Sequence, residues 1–117
     1  MTGEEVLRRL TIGDPAYCRL IMSTERAISA LDARSLALLR LGGSIAAGSI
    51  GLVWRQRVSE ALDAGLGFDE IVAALPALAP TIGIERIVAV APDLARALGY
   101  DIDADLERLD DDAGSVR

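Results

Sequence analysis

Residues 50–65 read IGLVWRQRVSEALDAG, and at a helical repeat Ile50, Val53, Trp54, Val58, Ala61 and Leu62 fall on one face. The stretch predicts an amphipathic helix with Glu60 and Asp63 on its opposite, solvated side. Arg57 interrupts the apolar stripe. A guanidinium does not lose its proton, so on a buried face it requires a carboxylate, carbonyl oxygens or a bound anion. Alternatively its stem lies along apolar surface while its head reaches water or an acid at a subunit contact. The first reading makes this face the candidate ligand-binding site, with Arg57, Trp54, Val53 and Ile50 on it and Arg40 and Glu85 as further candidates; the second makes Arg57 structural.

Working outward toward the N-terminus, Gly48 to Gly51 separates this helix from a longer one expected over about 33–47. Asp32 caps it, and Leu36, Leu38, Leu39, Leu41 and Ile45 cover nearly its whole circumference, interrupted by Arg34, Arg40 and Ser44. A helix apolar all round must be buried on all sides, which a domain of this size hardly achieves alone. The expected answer is a second subunit, with Gly42, Gly43, Ala46 and Ala47 allowing close approach. Farther back, Thr2 and Glu5 have capping-box spacing before Val6, Leu7 and Leu10. Asp14 followed by Pro15 then opens a second helix through about Met22.

Toward the C-terminus, Gly65 and Gly67 end the central helix. DEIVAALPALAP, residues 69–80, reads as a helix with Ile71, Val72, Leu75 and Leu78 inward, which Pro76 should kink or divide. After Pro80, Thr81 and Gly83, the residues Ile84, Ile87, Val88 and Ala91 predict the last core helix. Pro92 is a possible restart, and Gly99 the stop. One capped turn is expected from Asp103, with Ile102, Leu106 and Leu109 on one side, and the end, DDDAGSVR, is expected to be solvating and disordered. No strand-like alternation occurs. The fold expected is therefore all-α, about six helices in one domain over 1–100, followed by an acidic tail over 101–117.

Composition narrows the chemistry. The 117 residues are 51% hydrophobic but only 3% aromatic, so the core is aliphatic and alanine-rich. Every basic side chain is an arginine, and there is no histidine, hence no imidazole base, metal ligand or pH switch. The net charge is −6, and it resides in the tail. Through Tyr100, 11 acids face 10 arginines, and from Asp101 onward 7 acids face 2. A nearly neutral body with no basic stripe lacks the footprint of a nucleic-acid binder. Cys18 stands alone, which excludes an internal disulfide and suits a reducing compartment. Met1 is followed by TGEEVLRRL, acidic where a secretory leader is basic, so a cytoplasmic setting is expected. Leu36 to Trp54 is nearly free of charge, but Arg40 near its middle speaks against a membrane span. No Walker loop, Cys-x-x-Cys or Ser–His–Asp set occurs, and no metal or cofactor is implied.

Three segments in order carry a resemblance: LDARSLALLRLGG, RVSEALDAGLGFDEIVAAL and APTIGIERIVAVAPDLARALGY. Together, over residues 30–100, they resemble the carboxymuconolactone decarboxylase and alkylhydroperoxidase D superfamily. That resemblance implies a small all-helical protein assembling as a homo-oligomer, a trimer or hexamer. Peroxidase members of the superfamily carry Cys-x-x-Cys-x-x-x-His on the helix ending in Ala-Gly. Its cysteine slots fall here on Ile50 and Val53, its histidine slot on Arg57, and its relay glutamate near Ala37 or Leu38. All are replaced, and the decarboxylase members' histidine is absent too. Thiol peroxidase chemistry, which needs a thiolate and a resolving thiol, is thereby excluded. What remains is binding of a small anionic or apolar molecule in an interhelical pocket of an oligomer. The alternative is a lyase or isomerase on a carboxylated or lactone substrate, with Arg57 stabilising the anion and Glu85 or Glu25 as base.

Overall fold

In the computed structural model, residues 1–23, 30–101, 104 and 107–110 are described. Among the described residues the helices are α1 (Gly3–Thr11), α2 (Pro15–Ser23), α3 (Ala33–Ala47), α4 (Leu52–Asp63), α5 (Phe68–Ile82) and α6 (Ile84–Ala97). A further helical stretch covers 107–110, and no strand occurs among the described residues. The chain divides into two compact units, Met1–Leu31 and Asp32–Arg117.

The first unit pairs α1 with α2. Thr2 Oγ1 accepts from the Glu5 N–H at 3.2 Å, half of the expected capping box. The other half is missing because Glu5 turns to Arg8 at 2.8 Å and Arg9 at 3.2 Å. These bonds, Arg8 first, hold its carboxyl below the usual glutamate range. Asp14 opens α2 by accepting from the Ala16 N–H. Tyr17 is the buried residue among those described in this unit, with the Arg9 guanidinium 5.8 Å from its ring centre.

In the second unit, α3 packs on α4, α5 and α6, and α6 in turn on α4 and α5, so α3 and α6 face each other across the interior. The core holds Leu41 and Ile45 from α3, Trp54, Val58 and Ala61 from α4, Ile71 from α5, and Ile87, Val90 and Leu94 from α6. With one buried aromatic in this unit, close packing of aliphatic side chains supplies the stabilisation, about 0.8 kcal/mol per buried methylene. Two glycine turns fix the helix order. Gly48 ends α3 in the left-handed region, φ 67°, with the Ser49 N–H bonded back to Ser44 O. Gly65 does the same for α4, and the residue after it, Leu66, is buried. Arg34, at the start of α3, donates to Gly65 O at 2.8 Å and pairs with Glu70, clasping the α4–α5 turn.

Several expectations are corrected. Pro76 does not divide its helix: α5 is continuous through Pro76 and Pro80, and α6 runs through Pro92 without a restart. Pro76 and Pro80 sit on the exposed side of α5, where carbonyls that lose an N–H partner can bond to water. The inward face of α6 is Ile87, Val90 and Leu94, whereas Ile84 and Val88 are exposed at 63% and 64%. On α4, Leu62 is half exposed, and Ile50 precedes the helix altogether at 78% exposure. Helix α3 is not covered all round, since Leu39 remains 61% exposed. In the expected tail turn, Leu109 is exposed, while Ile102, Asp103 and Leu106 lie outside the described residues, as do Glu25 and 111–117.

Candidate functional site

The α3–α4 seam carries the polar residues of interest. Ser44, on α3, is 6% exposed and is the one polar side chain among the buried described residues. It accepts a hydrogen bond from Arg57 Nε at 3.0 Å. Arg57 Nη1 then donates to both oxygens of Glu60, at 3.1 and 3.3 Å. Glu60 therefore does not stand on the far side of α4 from Arg57: one helical turn brings their long side chains together. From α3, Arg40 Nη1 approaches Glu60 Oε2, the oxygen that Arg57 holds at 3.3 Å, to 3.9 Å, an ion-pair distance beyond hydrogen-bond reach.

The consequence is an unequal division of one carboxylate between two cations. Arg57, at 25% side-chain exposure, holds Glu60 closely, and Arg40, at 35%, is left with a long contact. A guanidinium has five donors in a planar fork and is made for bidentate recognition of a carboxylate. Next to Arg40 lies a depression of 280 Å³ between the two helices, floored by Ala33, Leu36, Ala37 and Ala64 and bordered by Arg40, Glu60 and Asp63. Asp63 makes no ion pair among the described residues.

The remaining candidates lie elsewhere. Trp54 is 2% exposed and donates from Nε1 to Ser49 O at 2.6 Å, tying α4 to the turn before it. It has the position of a core anchor. Val53 is half-buried beside it, and Ile50 projects from the turn. Glu85 is exposed in the first turn of α6 and borders a different depression, with Ile82, Ile84 and Arg86. The structure thus brings Arg40 and Arg57 together through Glu60, and does not bring Glu85 or Ile50 to them. Ser44 and Glu60 were not singled out from the sequence as site residues. Glu60 carried a signal, being three residues from Arg57, while Ser44 depends on how α3 packs against α4.

Among the described residues, no three His, Cys, Asp or Glu side chains gather as metal ligands, and no helix is long and apolar enough to cross a membrane. No protein-family model, curated protein or solved structure matches this chain.

Proposed function

We propose that this protein binds a small carboxylated molecule in the α3–α4 depression, with Arg40 as the anion-holding group and the alanine and leucine floor receiving an apolar body. The observation that carries the reading is the 3.9 Å separation of Arg40 from Glu60, set against the 3.1 Å bond of Arg57 to the same carboxylate. Arg57 acts as a positioning residue: by engaging Glu60 it keeps Arg40 available. The motif order quoted above supports placing the chain as a divergent carboxymuconolactone decarboxylase-like protein without thiol-redox residues, working as a homo-oligomer in the cytoplasm.

Binding is favoured over lyase or isomerase chemistry by one arrangement. The base that such chemistry needs within hydrogen-bond reach of its substrate is not supplied by Glu85, which borders another depression. Glu60 is engaged as a counter-ion, and Asp63, the remaining carboxylate at the rim, is exposed to solvent, without the burial by which a carboxylate is tuned to act as a base.

The test is a chemical-shift titration with benzoate as probe, read on backbone amides of α3 and α4. Saturable shifts around Ala37 and Ala64 that disappear in Arg40→Gln are expected. Arg57→Gln should also weaken binding, because it releases Glu60 to pair with Arg40. Benzoate shifts that survive Arg40→Gln unchanged would remove the proposal.

A further inference from the structure

The outer side of α3 and α5 shows a feature the single chain does not explain. Gly42 and Gly43 lie inside α3, where glycine is the least favourable residue after proline. Neither takes the left-handed backbone conformation, so no turn demands them. A Cβ added at Gly43 would meet nothing within 4 Å, and one at Gly42 would meet Leu78 Cδ1 at an ordinary 3.6 Å. Among the described residues nothing bars an alanine, the better helix former, at either position. Their smallness makes sense for a body approaching from outside.

The surroundings identify that body. Gly42 and Gly43 form the floor of a 350 Å³ groove whose walls are Leu38 and Leu39 on α3 and Ala77 and Leu78 on α5. Leu39 is a projecting knob, 61% exposed, one helical turn from the glycine hole. Knob and hole on the same helix are self-complementary: a two-fold axis sets each copy's Leu39 into the other's Gly42–Gly43 hollow, the isologous arrangement of a symmetric pair. Charge agrees. From Ser35 to Ala47 the exposed residues of α3 are uncharged, as are the exposed Ala73, Pro76, Ala77, Pro80 and Thr81 of α5. For a chain of net charge −6, a neutral face is where two copies meet without like-charge repulsion.

We infer that this α3–α5 face is a two-fold contact between copies of the chain, with Leu39 of one seated on Gly42 and Gly43 of the other. It deepens the self-association in the reading above by naming the surface, and it needs nothing from the Arg40 site. A two-fold contact is absent from a cyclic ring such as a trimer and present in a symmetric dimer or a dihedral hexamer. Two 15-residue helices side by side present a footprint of roughly 22 by 20 Å, on the order of 450 Å² per copy. That is about half of a standard interface side, so the contact alone is of the small, transient kind and gives a reversible pair.

Sedimentation velocity over a concentration series tests this on the full chain and two variants. Gly43→Leu fills the hole where the chain itself has open space, and Leu39→Glu places a charge on an exposed knob; circular dichroism checks that each stays helical. The expected result is reversible association of the unaltered chain, with little dependence on salt because the meeting faces are uncharged, and with the dissociation constant raised at least about tenfold in both variants. A chain that stays single at the highest concentration overturns the inference and leaves the groove to a foreign partner. Association unchanged in both variants also overturns it, by assigning the contact to another surface. Benzoate titration of Gly43→Leu separates the two proposals: binding at Arg40 persists there if the Arg40 reading is right, whatever the association does.

Discussion

Arg57 Nε donates to Ser44 Oγ at 3.0 Å across the α3–α4 seam, so the one polar side chain among the buried described residues is the fastening point for the arginine that interrupts the apolar stripe of α4. The sequence posed Arg57 as a charge in need of a partner. It has two, a buried hydroxyl and a half-buried carboxylate, and keeps its head a quarter exposed.

Removing the hydroxyl tests that fastening. Ser44→Ala deletes the acceptor but leaves Arg57 able to reach water and Glu60. The loss of unfolding free energy is expected at roughly 0.5–1.5 kcal/mol, read by urea denaturation. A loss above about 3 kcal/mol would mean that Arg57 is stranded without solvent, against its observed exposure.

Glu60→Gln tests the division of charge. With the carboxylate gone, Arg40 and Arg57 face each other across the seam without a counter-ion. Stability falls modestly, by about 0.2–1 kcal/mol given the partial exposure of all three side chains. Benzoate binding should tighten at the same time. Tighter binding together with lower stability is the signature, measured by titration and melting on one preparation; weaker binding would assign Glu60 a direct role toward the ligand.

The caps were legible in the sequence because their chemistry is local. Asp32, Asp14 with Pro15, Gly48 and Gly65 each act within a few residues of themselves, and each stands where its residue type predicted. The phase of α6 was not legible: IVAVAPDLA presents apolar residues on two adjoining faces, and only packing on α3, α4 and α5 selects Val90 and Leu94 over Val88. The site was half legible. Arg57 announced itself by breaking a stripe, but its partner Ser44 is 13 residues away, and that distance is closed by helix packing rather than by local pattern. Arg40 was visible as the charge inside an apolar helix, while its weak hold on Glu60 is a matter of ångströms that no spacing encodes.

Trp54→Phe isolates a different bond. The indole Nε1–H of Trp54, itself 2% exposed, donates to Ser49 O at 2.6 Å, so phenylalanine leaves a part-buried carbonyl short of a donor and a small void. A cost of about 1–3 kcal/mol is expected. Urea unfolding followed by circular dichroism measures it, since the chain's one tryptophan is gone; a neutral result would show that water replaces the indole.

Asp32 gives the fold an acid-sensitive joint. The Ser35 backbone N–H, bonded to Asp32 Oδ1 at 2.7 Å, and the Ser35 side chain hold its carboxyl below its ordinary value of 3.8. A carboxyl lowered in the folded state contributes stability that is present above its unfolded pKa and is lost as pH falls through the folded one. Asp32→Asn keeps an acceptor for the cap but cannot titrate. The gap in urea midpoint between the two proteins should therefore be constant at neutral pH and change only below 3.8. A gap that is flat throughout would detach the cap from the pH response.

Pro76 offers the last test, because it stands exposed in the interior of a continuous α5. The ring withholds one N–H from the helix ladder and crowds the carbonyl four residues earlier, a penalty on the order of 3 kcal/mol in a regular helix. Part of it is already relieved here, since the helix continues and the affected side faces water, and part is offset by the stiffer unfolded chain that proline gives. Pro76→Ala is accordingly expected to raise stability by about 1–2 kcal/mol and to leave benzoate binding unchanged, the depression being on the α3–α4 side. Its effect on association reads out separately: Pro76 borders the neutral α3–α5 face without lining the groove, so the dissociation constant should move less than in Gly43→Leu. A destabilised Pro76→Ala would show that the helix geometry at this point is shaped by the ring and not merely tolerant of it.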